Sequence, residues 1–280
     1  MADITAKMVS DLREATGVSM MECKRALVEA GGDKDQAVRL LRERGMATAQ
    51  KKAGRATNQG AIVTAGSPDG KTASLVEINC ETDFVARNED FKVFGAGMAQ
   101  KALTLDTPLA DVEKDVMTAM IQKTGENMQL RRNLRFQVAG EGRIVTYIHL
   151  GAKEGVMVEL GCGKAATAAL PAFLELGRDL AMHVSAVNPR HLDRTEVPAD
   201  IVAGERAIFA KQVVDKPANI VEKIVDGKVN KFFSEVCLVD QPFVKEQKIS
   251  VKQLLEAKGR EMGDALVIRR FVRWVLGENG

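Results

Sequence analysis

The chain has 280 residues, 45% hydrophobic and 28% charged, the balance of a globular protein long enough for two or more domains. Forty Lys and Arg stand against 38 Asp and Glu, and the aromatics are ten Phe, one Tyr and one Trp. With neither a basic excess nor a stacking platform, direct binding of DNA or RNA is not expected.

In chain order, Met1-Ala2-Asp3-Ile4-Thr5 has no basic or apolar leader character, which predicts a cytoplasmic protein. Ile4, Met8 and Leu12 recur every fourth residue, the stripe of a helix that Gly17 ends. Ser19 and Glu22 form a capping box for a second helix, with Ala26, Leu27 and Ala30 inward before Gly31-Gly32. Asp33 and Gln36 repeat the device for a third, with Ala37, Leu40 and Leu41 inward and Gly45 after it. Helices this short are marginal alone and must pack together. Residues 1–56 are therefore expected to be a three-helix module with a linker. Lys51, Lys52 and Arg55 read as a solvated tether rather than a phosphate site.

An internal repeat follows. Gly60-Ala-Ile-Val63 matches Gly142-Arg-Ile-Val145, Glu77-Ile-Asn-Cys80 matches Glu159-Leu-Gly-Cys162, and Phe91 matches Phe173, all at one shared offset. Each copy has two β-rich runs around a turn, Ser67–Gly70 and then Ala152–Gly155, followed by a helical pattern. This predicts an α+β fold with two related core subdomains, 57–140 and 141–280. A further match has a wider spacing: Gly125-Glu-Asn-Met128, leading to Arg131-Arg132, against Gly259-Arg-Glu-Met262, leading to Arg269-Arg270. The difference between the two offsets predicts an insertion in the second copy, roughly at 188–236. There Pro198–Val214 and Ala218–Val236 carry apolar stripes through Ile201, Ile208, Val213, Ile220, Ile224, Val225 and Val229, joined by Asp215-Lys216-Pro217. An antiparallel helical hairpin is the natural structure. It could dock on a partner or a second copy, or fold back on its own subdomain.

Asn79 to Asn88 is the most telling stretch. A β run over Ser74–Ile78 stops, a helical pattern starts near Glu89, and between them Asp83 precedes Phe84. Such a junction can present a carboxylate and an aromatic wedge to a partner; the plainer alternative is that Phe84 turns into the core.

Signals of chemistry are missing. His149, His183 and His191 belong to no helical zinc motif, and Cys23, Cys80, Cys162 and Cys237 are scattered with no metal-ligand spacing. There is no nucleophile elbow or phosphate-binding loop, Gly161-Cys-Gly-Lys164 being too short to wrap phosphates. No uncharged apolar run reaches the roughly 18 residues of a membrane span. A protein without catalytic centre, cofactor or metal, built to hold something large, is the expectation. The rivals are a plain scaffold for a peptide or ubiquitin-like partner, and a small-molecule enzyme using its Cys and His residues.

Leu12-Arg-Glu-Ala-Thr-Gly17 with Met20-Met-Glu-Cys-Lys-Arg-Ala-Leu27, Thr82-Asp-Phe-Val-Ala86 within Glu77–Arg87, Tyr147-Ile-His149, Gly155-Val156 and Gln241-Pro-Phe-Val244 closely resemble the elongation factor Ts family, in its order and over nearly the whole chain. The resemblance implies an amino-terminal ubiquitin-associated-like bundle, two related α+β subdomains and an inserted coiled-coil hairpin. It implies a guanine-nucleotide exchange factor of protein biosynthesis, whose partner is the GTPase elongation factor Tu. Thr82, Asp83, Phe84 and Val85 would then enter near that GTPase's magnesium site. Arg13, Met20 and Met21 would grip a helix of its nucleotide domain, and His149 would face another of its domains. A homodimer through the hairpin is a further possibility. After Arg269–Leu276 the sequence stops at Gly280, so a carboxyl-terminal helical extension like that of some relatives is expected to be very short.

Overall fold

Local punctuation explains the first three helices. The computed structural model describes residues 3–213 and 216–278. Met1 and Ala2 of the leader reading, Val214 and Asp215 of the hairpin reading, and Gly280 lie outside the described residues. Helix α1 is Ala6–Thr16, and Gly17 ends it in the left-handed region (φ 68°), its N–H closing on Arg13 O. Helix α2 is Met20–Glu29, where Ser19 accepts from the Glu22 amide; Glu22 itself pairs with Arg25 at 3.2 Å, so only half of the expected capping box forms. Helix α3 is Lys34–Lys52, capped by Asp33. Leu12, Cys23, Ala26, Leu27, Ala37 and Leu41 form the buried centre of this trio.

Strands β1 (Gln59–Gly66) and β2 (Thr72–Cys80) come next, then helices α4 (Asp83–Arg87), α5 (Glu89–Ala102), α6 (Leu109–Val112) and α7 (Lys114–Thr124), and strand β3 (Met128–Gln137). The second copy has β4 (Gly142–His149), β5 (Glu154–Cys162), α8 (Ala165–Ala168) and α9 (Pro171–Val187). After the pair α10 (Ala199–Gln212) and α11 (Ala218–Val236) it ends with β6 (Pro242–Phe243), β7 (Glu246–Ser250), α12 (Val251–Met262) and β8 (Leu266–Val275). The fold is α+β, with two antiparallel three-stranded sheets ordered β1-β2-β3 and β4-β5-β8.

One face of each sheet packs on its own helices. Ile78, Phe91 and Met98 fill the first core; Val158, Phe173 and Leu180 fill the second. The other faces meet through Ile62, Leu75, Phe136, Ile144 and Met157. Central strands β2 and β5 are thus covered on both sides, which is why nearly every residue along them is buried.

The repeat is visible atom by atom. A bulge falls after Glu77 in one sheet and after Glu159 in the other. Gly60 and Gly142, near the start of β1 and β4, have φ 139° and 147°, where an added Cβ would lie 2.0 Å from Ile78 O or 2.3 Å from Leu160 O. Only glycine fits there.

Four expectations need correction. Gly45 does not end the third helix: α3 runs on to Lys52, and Gly45 is a point where α3 meets α7, with the Gln122 side chain packed close over it. The basic residues after it are only partly a solvated tether: Lys51 and Arg55 are exposed, but Lys52 donates to Gly125 O and Arg55 pairs with Glu81 at 3.4 Å. The turn expected at Ala152–Gly155 sits earlier, because β5 starts at Glu154 and Gly155 lies beneath Ile62 and Leu75 in the sheet interface. Finally, Gly125 caps α7 with φ 77°, and its counterpart is Gly263, which caps α12 with φ 62°; Gly259 lies inside α12. The spacing from Gly125 to Gly263 is also that from Arg131-Arg132 to Arg269-Arg270, so the insertion is one helical turn longer than the Gly259 match implies.

That insertion includes the helical pair. Helices α10 and α11 lie side by side, tied by Arg206–Asp226 at 2.6 Å and Lys228–Gln212 at 2.6 Å. Val225 and Val229 are buried, whereas Ile201, Ile208 and Ile220 are exposed. Arg194 secures the base of the pair, bonded to Asp240 and Asn230 and lying over the Phe233 ring.

Candidate functional site

Helix α4 is a single short turn with no buried residue, yet it is fastened at both ends. Thr82 Oγ1 accepts from the Val85 amide at 3.3 Å, and Asn88 Oδ1 accepts from the Asp90 amide at 2.9 Å to start α5. Between these caps Phe84 points outward, 81% exposed. Leaving a Phe in water forgoes about 1.5–3 kcal/mol of burial, and the core reading of this residue is not what the fold adopts. Asp83 pairs with Arg87 at 2.9 Å, one turn on. Val85 and Ala86, half-buried, pack on the first core and anchor the turn from below.

His149 ends β4. Its Nδ1 is 2.7 Å from the Tyr147 hydroxyl, and the two rings stack at 5.6 Å. Beyond it Leu150, Gly151 and Ala152 are all left-handed (φ 48°, 61° and 67°), which folds the hairpin tip tightly. Ala152 O accepts from the Ile62 amide at 2.7 Å, so this tip of the second sheet is clipped to β1 of the first. Leu150 is 69% exposed.

Between α4 and that tip lies a cavity of about 480 Å³. Asp83, Arg87, Phe91, Leu150, Ala152 and Lys153 are among its lining residues. The fold therefore brings the Asp83-Phe84 turn and the loop after His149 to one apolar depression, although they belong to different copies of the repeat. Arg13, Met20 and Met21 lie elsewhere, exposed on the three-helix module, Met21 at 62%. Exposed thioethers make an adaptable apolar contact.

Two features were not legible as site residues. Glu126 stood out only as part of a repeat marker, and the left-handed run at 150–152 was hidden by a misplaced turn. A glutamate following a cap glycine has no local signature of what it will hold.

The cysteines and His183 are parts of the core. All four cysteines are buried thiols; burial pushes Cys80 and Cys237 up to about 11 and raises Cys162. His183 is a core strut: burial lowers its pKa, its Nε2 meets Gln241 at 3.1 Å, and its Nδ1 accepts from the Val244 amide at 3.1 Å. Among the described residues no group of three or more His, Cys, Asp or Glu is placed to hold a metal, and no helix is long and apolar enough to cross a membrane. The thiols should accordingly resist iodoacetamide at pH 8 in the native protein, over a time in which the urea-unfolded chain is fully labelled, as read by intact mass.

The family model described as elongation factor TS matches residues 81–278, beginning just before the α4 turn. A protein named elongation factor Ts from Nitratidesulfovibrio vulgaris (strain DP4) is 44% identical over 99% of this chain and 96% of its own. Its namesake from Clostridium novyi (strain NT) is also 44% identical, covering 98% and 93%. That of Methylococcus capsulatus is 45% identical, covering 98% and 92%. The chain belongs to the elongation factor Ts family. The matched segment takes in α4, Glu126, both sheets from β3 onward and the helical pair. The three-helix module with Arg13, Met20 and Met21 lies before it, within the span shared with the elongation factor Ts relatives.

Proposed function

We propose that the chain is a guanine-nucleotide exchange factor that binds elongation factor Tu in its GDP form and promotes GDP release during translation elongation, in the cytoplasm. The observation that carries this reading is Phe84: a large apolar side chain held out in water on a doubly capped turn, in a member of the elongation factor Ts family. The protein forms and breaks no covalent bond in this role. It works by linkage: a partner that prefers the empty GTPase weakens nucleotide binding by the same factor that nucleotide weakens the partner.

In this reading Phe84 wedges between helices near the magnesium site of the GTPase and disturbs the metal and phosphate contacts, while Asp83 adds charge there. Burying Phe84 supplies about 1.5–3 kcal/mol, and each tenfold of acceleration needs about 1.4 kcal/mol. A larger effect must draw on further contacts, which we assign to Arg13, Met20 and Met21 on the module of residues 1–56 and to His149 beside the clipped hairpin tip. Residues 57–140 and 141–280 then act as two subdomains that carry the wedge and the second grip.

The test is release of a fluorescent GDP analogue from elongation factor Tu, with excess unlabelled nucleotide, in the presence and absence of this chain. Release that accelerates with chain concentration is the expected result. Firm binding with no acceleration would overturn the proposal and leave a scaffold.

A further inference from the structure

The turn bearing Phe84 is gripped by one residue from a distant part of the chain. Glu126, half-buried just after the Gly125 cap of α7, accepts from the Thr82 amide at 3.0 Å and from the Thr82 hydroxyl at 2.6 Å. Having given its proton to Glu126, that hydroxyl keeps its lone pairs for the Val85 amide. The Thr82 carbonyl meanwhile accepts from the Cys80 thiol at 3.1 Å and the Ala86 amide at 3.3 Å. Every polar atom of Thr82 is engaged, and the hydroxyl proton is aimed by Glu126. A reciprocal brace runs beside it, since Glu81 accepts from the Asn127 amide at 2.6 Å.

The second copy supplies an internal control. Lys164 stands at the place of Thr82, by the offset that relates Gly142 to Gly60, and Asp264 at the place of Glu126, by that relating Gly263 to Gly125. Cys162 again reaches the carbonyl, that of Lys164, at 3.2 Å, and Asp264 again accepts a backbone amide, that of Lys164, at 2.9 Å. But position 164 has no hydroxyl, so the one that Asp264 engages is that of Thr167 inside α8; α8 has no side-chain cap, and the residues matching Asp83 and Phe84 are Ala165 and Ala166. The backbone brace is common to both copies. A gripped hydroxyl that is itself the helix cap occurs in the first copy, where an aromatic ring is held out in water.

We infer that Glu126 is a positioning residue for nucleotide exchange: its bidentate hold on Thr82 fixes α4 and so aims Phe84 at the partner. The inference rests on the exchange reading of the Asp83-Phe84 turn. Glu126 acts through Phe84 and needs no contact of its own with the GTPase.

The experiment is a double-mutant cycle in the GDP-release assay, using the full chain, with circular dichroism to establish folding. Glu126→Ala in the Phe84 background should lower the maximal release rate about tenfold, the kinetic equivalent of losing a helix cap. In a Phe84→Ala background the same substitution should change the rate less than about twofold, because coupled residues do not add. Thr82→Val, which removes the hydroxyl but keeps the amide, should reproduce the loss, and Glu126→Gln, which keeps one acceptor oxygen, should recover part of it. If Phe84→Ala slows release while Glu126→Ala does not, or does so equally in both backgrounds, the inference alone is overturned. If Phe84→Ala itself leaves release unchanged, the wedge reading falls and takes the inference with it.

Discussion

Alanine at both Asp83 and Phe84 is expected to slow the maximal release of GDP from elongation factor Tu by roughly ten- to 150-fold, with the fold intact. The range follows from the burial that Phe84 gains only in the complex, about 1.5–3 kcal/mol, at about 1.4 kcal/mol per tenfold. Stability should barely change, because the ring that is removed is 81% exposed. The Asp83–Arg87 pair lies one helical turn apart on the surface, an arrangement that contributes a few tenths of a kcal/mol. A core Phe would behave in the opposite way, losing about 3–5 kcal/mol of stability on truncation. Stopped-flow release kinetics and urea unfolding of the same variant together separate the two roles. A folded variant that releases GDP at the parental rate would remove the wedge from the mechanism.

The contrast between what the residues announced and what they concealed follows the range of the interaction. Gly17, Ser19 and Asp33 act on neighbours three or four positions away, so the helix starts and the first stop could be read directly. Gly45 carries the same stop signal, but its environment is set by Gln122 on another helix, and a close approach looks like punctuation until the neighbour is known. The repeat was legible from Gly60 and Gly142 because both meet the same backbone obstruction across their own hairpin. Its later part was misaligned because a resemblance between Gly125-Glu-Asn-Met128 and Gly259-Arg-Glu-Met262 outweighed the arginine pairs, which kept the correct spacing. At the site, the Asp83-Phe84 pair drew notice by its place at a strand-to-helix junction. Glu126, separated from Thr82 by four helices, could be found only in space.

Alanine at Glu77 is expected to cost about 3 kcal/mol or more of stability, the range for breaking a buried ion pair from one side. Glu77 is fully buried and accepts from Arg131 at 2.9 Å, from Arg132 at 2.6 Å and from the Gly277 amide at 2.9 Å. Glu159 repeats the arrangement with Arg269 at 3.4 Å, Arg270 at 2.7 Å and the Ala139 amide at 2.8 Å. Each glutamate thus receives an amide from the other copy, just past that copy's last strand. The aromatic contacts cross as well: Arg132 lies 4.4 Å from the Trp274 ring centre and Arg270 lies 4.0 Å from that of Phe136. Gly277, Trp274, Arg269 and Arg270 follow Ala139, Phe136, Arg131 and Arg132 at one common spacing, so the two clasps are related by an approximate two-fold axis. Truncating Glu77 takes a buried, shared acceptor away from two guanidinium groups and an amide, and the melting temperature should fall by roughly 5–10 °C. Although burial pushes the Glu77 carboxyl up, hydrogen bonds from the Gly277 amide, Arg131 and Arg132 hold it below its ordinary value of 4.5. Its contribution is therefore complete above pH 4.5 and is lost as the pH falls through the lower, folded-state value, so the difference between parent and Glu77→Ala should shrink on acidification below pH 4.5. Glu159→Ala should resemble Glu77→Ala. Because both clasps close one sheet-to-sheet interface, the double variant should lose less than the sum of the two, a coupling that urea unfolding of the four chains measures. Strict additivity would mean that each glutamate stabilises only its own sheet, and that the wedge and the hairpin tip are held together by the clip from Ile62 to Ala152 and the apolar interface alone.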